Sequence, residues 1–240
     1  MSTRAQLLNT VLERIARAAH ACGRVPPALL AVSKRQPADA VAEVARAWRA
    51  HRADSGSSDA IAFGENYVQE GIAKRAEVDD AEMDARIAWH LIGHLQTNKA
   101  REAADAFDWV HSVDRLRIVE ALARHRSPDG APLEVLVQVN VDDETSKAGC
   151  MPGDVPALCD AIAAHPTLRL RGLMAIPAPH PDVEARRPSF VRVRALFEEA
   201  RRVHPAIDTL SMGMSDDLEV AIEEGSTLVR VGTAVFGARD

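Results

Sequence analysis

Lysine is nearly missing from this chain. Of its 29 basic residues only four are lysines (Lys34, Lys74, Lys99 and Lys147), and the remainder are arginines. Plain positive charge is therefore carried by arginine. A surviving lysine stands out for amine chemistry, which a permanently protonated guanidinium cannot perform. Cysteine is also sparse: Cys22, Cys150 and Cys159 are odd in number and lack metal-finger spacing. That argues against a disulfide framework or a zinc site and for reduced thiols in the cytoplasm. There is no basic excess, since the net charge is −6, which argues against a general nucleic-acid binder. No run approaches the roughly 20 apolar residues of a membrane span. The opening MSTRAQLLNTVLERIARAAH lacks a continuous apolar stretch and reads as an amphipathic helix, not a signal peptide. The expectation is a cytoplasmic protein with neither a membrane nor a nucleic acid as partner.

What is present fits one globular domain spanning 1–240, with no linker or composition break: 47% hydrophobic and 27% charged residues. Eight short apolar runs recur: Leu29–Ser33, Ile61–Gly64, Trp89–Gly93, Trp109–Ser112, Leu133–Asn140, Leu170–Ile176, Thr209–Met212 and Leu228–Gly232. Helical periodicity separates them, as in Asp39–His51, Leu116–Arg124 and Phe190–Val203. Strand and helix alternating in this way imply parallel strands joined by crossover helices. Eight units at this length favour an α/β fold of the (β/α)8 TIM-barrel type over an open doubly wound sheet. A helix over about residues 2–22 precedes the first strand as an addition. His51–Asp59 and Pro177–Pro188 read as loops.

Barrel chemistry sits at the C-terminal ends of the strands. Reactive residues fall there: Lys34, Glu65, Asn66, Gly93, His94, Ser112, Asp114, Asn140, Met174, Ser211, Ser215, Arg230, Gly232 and Thr233. An ammonium at the end of an apolar strand is partly desolvated, which lowers its pKa and frees the amine as a nucleophile. Position alone leaves open a solvated lysine at the rim. The loops Ser211-Met212-Gly213-Met214-Ser215 and Arg230-Val231-Gly232-Thr233 follow strands 7 and 8, where such barrels frequently bind phosphate. Backbone N–H groups there, including a helix start near Ser215-Asp216, suit a dianion, although ordinary turn chemistry would read the same. A strand-end lysine opposite a phosphate cradle suits a phosphorylated aldehyde, of which pyridoxal 5′-phosphate (PLP) is the usual cofactor.

These residues resemble a known family. AVSK (31–34), FGENYVQE (63–70), WHLIGHLQTNK (89–99), HSVD (111–114), VNVDDETSKAG (139–149), GLMAIP (172–177) and LSMGMSDDLEVAIEEGSTLVRVGTAVFGAR (210–239) resemble the YggS/PROSC family of PLP homeostasis proteins. The resemblance implies a barrel like the N-terminal domain of bacterial alanine racemase, with PLP held as a Schiff base on Lys34. It implies phosphate contacts at Ser211, Gly232 and Thr233, Arg230 facing the pyridine nitrogen, and Asn66 and Met174 lining the pocket. Two features depart from its pattern: the long His51–Asp59 loop, and Arg35-Gln36 after the lysine where a threonine is common.

Arg230 beside the ring nitrogen would leave that nitrogen unprotonated and disfavour extended carbanion chemistry. A racemase also needs a second acid/base opposite the lysine. The only tyrosine, Tyr67, reads as packing or bonding locally. The resemblance therefore implies a PLP carrier acting in vitamin B6 and amino-acid homeostasis, with apo PLP-dependent enzymes as recipients and no assigned catalytic residue, and a one-domain chain with no obvious apolar surface stripe suggests a monomer. A low-activity amino-acid racemase is the rival, and a barrel aldolase using Lys34 is a third reading. His90, His94 and His111 read as pocket or core histidines with no metal site. Lys99 and Lys147 read as ion-paired, and Asp142-Asp143-Glu144 as a solvated loop.

Overall fold

A computed structural model describes residues 3–55, 60–81, 87–142 and 148–237. Helix α1 (Arg4–Ala21) starts on a capping box, in which the Thr3 hydroxyl accepts from the Gln6 N–H and the Gln6 side chain accepts from the Thr3 N–H. It is followed by β1 (Ala28–Val32), α2 (Ala38–Ser55), β2 (Ile61–Glu65), α3 (Val68–Ala81), β3 (Ile87–Leu91), α4 (Ala100–Ala106) and β4 (Trp109–Val113). The second half runs α5 (Leu116–His125), β5 (Leu133–Val139), α6 (Val155–Ala163), β6 (Leu168–Ala175), α7 (Arg187–Val203), β7 (Thr209–Ser211), α8 (Leu218–Glu223), β8 (Leu228–Val231) and α9 (Thr233–Phe236). The eight strands are all parallel and close into a barrel in sequence order, with β8 returning to β1 through pairs such as Leu30 with Arg230. The expected TIM barrel with an added N-terminal helix is what the chain forms.

The added helix has a place in this architecture. Among the described residues, β8 is followed by the single turn α9. α1 lies against α2, α8 and α9. Leu8, Val11, Ile15 and Ala19, spaced three and four apart, are its buried stripe. Full burial of Leu8, Val11 and Ile15 contributes about 1.5–3 kcal/mol each. Arg14 fastens α1 to the barrel mouth, bonding the Glu219 carboxylate and donating to the Ser215 carbonyl at 2.8 Å.

Two apolar layers are separate. The large one lies between strands and helices, and a small one inside the barrel consists of Leu30, Ala62 and Leu228 with Ala88 and Ile92. Strand side chains alternate faces, so Arg230 shares the inward parity of Leu228 two residues earlier on β8. Above that apolar floor the interior turns polar.

Some boundaries differ from expectation. The helix read as Asp39–His51 continues to Ser55, so 51–55 are its last turn and not loop, while residues 56–59 lie outside the described ones. The continuation fits the sequence, because His-Arg-Ala-Asp contains no helix breaker. The Pro177–Pro188 loop is shorter than read. A 3-10 turn covers Glu184–Arg186, and Pro188 sits inside the first turn of α7, where its missing N–H costs nothing. β3 starts at Ile87 and ends at Leu91, leaving Gly93 in the following bend. No helix among the described residues is long and apolar enough to cross a membrane.

Candidate functional site

Lys34 follows β1 in a tight turn closed by the Gln36 N–H donating to the Ser33 carbonyl at 3.0 Å. Arg35 stands third in that turn with φ +60°. A non-glycine residue there costs about 1–2 kcal/mol, and the Arg35 N–H is held at 2.5 Å by Glu70 Oε1. Lys34 is half-buried and, with Arg35, Asn66 and Tyr67, lines a cavity of about 340 Å3. Among the three described lysines it is the one whose amine makes no ion pair. Lys74 pairs with Glu65 and Glu70, and Lys99 pairs with Glu102 at 3.0 Å as expected. Lys147, Asp143 and Glu144 lie outside the described residues.

Beneath the Lys34 turn is a buried network the sequence reading did not assemble. Lys74 Nζ reaches the Ser33 carbonyl (2.7 Å), Glu65 Oε1 (2.7 Å) and Glu70 Oε1 (3.0 Å), which uses all three of its donors. The Ser33 hydroxyl donates to Glu65 Oε1 at 2.5 Å. Glu65 is wholly buried, its Oε2 has no hydrogen-bond partner, and burial pushes its carboxyl above the ordinary carboxylate range against the pull of Lys74 and Ser33. The network thus grips residues 33 and 35 on either side of Lys34. A signal was available: lysine is rare here, and Glu70 and Lys74 are four apart on one helix.

Arg230 is buried at β8. Its Nη1 donates to Ser211 Oγ (2.8 Å) and to the Ser211 carbonyl (2.9 Å), and its Nη2 donates to the Ala175 carbonyl (2.9 Å). Three of five guanidinium donors are thereby engaged, tying the ends of β6, β7 and β8 together. No carboxylate pairs with it among the described residues, and burial lowers its pKa to about 10. The acid-paired rim arginine that the sequence left open is therefore not what forms. A buried cation with donors to spare and no directly bonded carboxylate among the described residues fits an electron-rich ring nitrogen or an anion at the mouth.

The structure joins Ser211 directly to Arg230, and pairs Met174, fully buried, in register with Ser211. Gly232 lies against β1: a Cβ there would come within 3.2 Å of the Val32 carbonyl, which brings the β8 end beside the residues leading to Lys34. Thr233 is exposed at the first turn of α9. Asn66 lines the Lys34 cavity and a second one of about 410 Å3 shared with Tyr67, Gly93, His94 and Lys99. Gly93 permits this arrangement, since a Cβ there would fall 2.0 Å from the Asn66 carbonyl.

Two expectations need correction, the helix start and Asp142. The helix start expected near Ser215-Asp216 is at Leu218, and the Met214 N–H is taken by Asp217 Oδ1 at 2.6 Å, so that amide does not face a ligand. Arg186 holds the other Asp217 oxygen at 2.7 Å, which fixes the loop from below. Tyr67 stands 57% exposed at the rim of the Lys34 cavity, and its carbonyl accepts from the Gly71 N–H at 3.0 Å. Asp142 is not a solvated acid: it accepts from the Ser189 hydroxyl, the Ala178 N–H and Arg192, clasping the end of β5 to α7. His90 and His111 are buried core histidines and His94 is exposed. Among the described residues no group of three or more His, Cys, Asp or Glu is placed to hold a metal ion.

The alanine racemase N-terminal domain family matches residues 8–240. The pyridoxal phosphate homeostasis protein of Pseudomonas aeruginosa is 51% identical, covering 100% of this chain and 97% of that protein. The protein of the same name from Escherichia coli K12 is 46% identical over 100% and 98%. Among solved structures, PipY of Synechococcus elongatus with PLP bound superposes with a TM-score of 0.80 at 34% identity, covering 98% of this chain and 100% of that one.

Proposed function

The chain belongs to the alanine racemase N-terminal domain family and, within it, to the pyridoxal phosphate homeostasis proteins, and from that premise we propose that it binds PLP at the barrel mouth and serves in keeping the cellular supply of that cofactor. The observation that carries the reading is Lys34: an amine without an ion-pair partner, at the end of a buried strand, opening on a cavity. Bound there, PLP supplies an aldehyde carbonyl and a conjugated pyridine ring. Lys34 supplies the amine for the carbonyl. Arg230, a donor only, keeps a proton off the ring nitrogen. Ser211, Gly232 and Thr233 hold the phosphate, and Asn66 and Met174 flank the ring. The clamp on Ser33 and Arg35 fixes where the amine points.

In this reading the carrier works in the cytoplasm as a one-domain monomer and passes PLP to apo enzymes that depend on it. No observation favours the racemase or aldolase rivals. The test is absorbance of the protein titrated with PLP, followed by borohydride reduction and peptide mapping. A visible band and a label on Lys34, both lost in Lys34→Ala, are expected. A label confined to Lys99 or Lys147, or no band at all, overturns the reading.

A further inference from the structure

The barrel interior holds a polar chain whose two histidines the cofactor reading leaves unused. It begins with Arg230 Nη1 donating to Ser211 Oγ at 2.8 Å. Ser211 Oγ lies 3.5 Å from His111 Nδ1, and His111 Nε2 lies 2.9 Å from His90 Nδ1. His90 stacks on Trp109, with ring centroids 5.0 Å apart and planes 7° from parallel. Together with Trp109 and Arg171 it lines a cavity of about 210 Å3 at the opposite end of the barrel, where the strands begin. All four chain members are buried. The links therefore run from the proposed phosphate end of the mouth to the floor.

Proton positions along this chain are tightly restricted. A guanidinium only donates, so Ser211 Oγ is an acceptor on that side. Both rings are neutral: burial and the nearby Arg171 push His90 down to about 3, and burial with His90 and Arg230 pushes His111 well below its ordinary value. Each ring then carries one N–H and one lone pair, and a choice at one link dictates the next. If the Ser211 hydroxyl donates to His111 Nδ1, then His111 donates from Nε2 to His90 Nδ1, and His90 carries its proton on Nε2 toward the floor cavity. If instead the Ser211 hydroxyl is turned to a ligand oxygen, the order reverses. His90 then donates from Nδ1 to His111 Nε2, and His111 donates from Nδ1 to Ser211 Oγ, which can accept twice.

We propose that His111, backed by His90, is a positioning residue for Ser211, and that the two rings exchange tautomer together when a phosphate group claims the Ser211 hydroxyl. The proton count balances. One proton enters at the mouth from water and takes the place of the one Ser211 passes to His111 Nδ1. The His111 Nε2 proton passes to His90 Nδ1, and the His90 Nε2 proton leaves to water in the floor cavity. The inference rests on the PLP reading, because it takes Ser211 as a phosphate contact.

The test is a two-bond proton–nitrogen correlation spectrum of protein carrying 15N-labelled histidine, assigned by difference against His90→Gln, recorded free, with inorganic phosphate and with PLP. Free protein is expected to show His90 and His111 as Nε2–H tautomers, and PLP-loaded protein to show both as Nδ1–H. Ser211→Ala, a small change in a β7 residue, should abolish the response while weakening PLP binding roughly tenfold, the loss of one hydrogen bond to a charged group. If the PLP absorbance band forms and the rings do not change, the relay is wrong and the cofactor reading stands. If Ser211→Ala still shows the exchange, Ser211 is not the link and the proposal fails. If no band forms, the cofactor reading falls and this proposal falls with it.

Discussion

Lys74→Met removes the centre of the network under Lys34 while keeping the length of the side chain. The buried Glu65 carboxyl then loses its cation, with one oxygen already lacking a partner. Breaking a buried pair from one side costs about 3–5 kcal/mol. The chain has a way to limit that cost, which is to protonate Glu65. Protonating a carboxyl of ordinary pKa about 4.3 at pH 7 costs 1.36 kcal/mol per pH unit, or about 3.7 kcal/mol, so the loss should not much exceed that value. A sign follows for pH. In the variant the folded-state pKa of Glu65 rises still further above its unfolded value, so the folded state binds a proton that the unfolded state releases. The stability deficit relative to wild type should therefore shrink as pH falls from 7 to 5, by up to about 2.7 kcal/mol.

Urea unfolding of both proteins at pH 7, 6 and 5 measures this directly. The double variant Lys74→Met/Glu65→Gln, which removes both charges, should recover most of the loss at pH 7 and show no such slope. A deficit that stays constant with pH, or a double variant as unstable as the single one, would mean that Glu65 is not the buried charge Lys74 neutralises.

Further outcomes follow from single positions. Arg35→Gly relieves the positive φ, a gain of about 1–2 kcal/mol offset by about 0.5–1 kcal/mol of glycine entropy. Urea midpoints should show Arg35→Gly unchanged or slightly more stable, and Arg35→Val clearly less stable. Gly93→Ala drives a methyl into the Asn66 carbonyl and should cost more than about 2 kcal/mol and weaken PLP binding, seen by denaturation and by absorbance titration. Thiol labelling at pH 8 should find Cys22 reacting first. Burial raises Cys150 and Cys159 to about 12, so almost none of either is thiolate, and both should react only after unfolding.

The fold was legible because its signal is redundant. Eight apolar runs separated by helical periods leave few topologies, and one misplaced end does not change the count. The errors lie where local pattern is silent. His51–Ser55 is polar, and polarity does not distinguish an exposed helical turn from a loop. Pro188 suggested a break, yet proline is favoured in the first turn of a helix. The exchange of bonds among Asp142, Ser189 and Arg192 joins residues 47 and 50 positions apart, which no window of sequence contains.

The site was legible for the same reason and hidden for the same reason. Lys34, Asn66, Arg230 and Gly232 are readable because strand ends are readable, and all four fall at or just past the end of a strand. What supports them is non-local. Lys74 lies 41 residues from the carbonyl it holds, and His111 lies 100 residues from Ser211. Scarcity of lysine pointed at Lys74 as much as at Lys34, and only packing separates their roles: one amine spends all three donors on buried acceptors, the other has no ion-pair partner among the described residues. The contrast is itself physical. A fully satisfied ammonium is fixed and cannot act as a nucleophile, so holding Lys74 rigid beneath the turn is what leaves the neighbouring amine of Lys34 both placed and available.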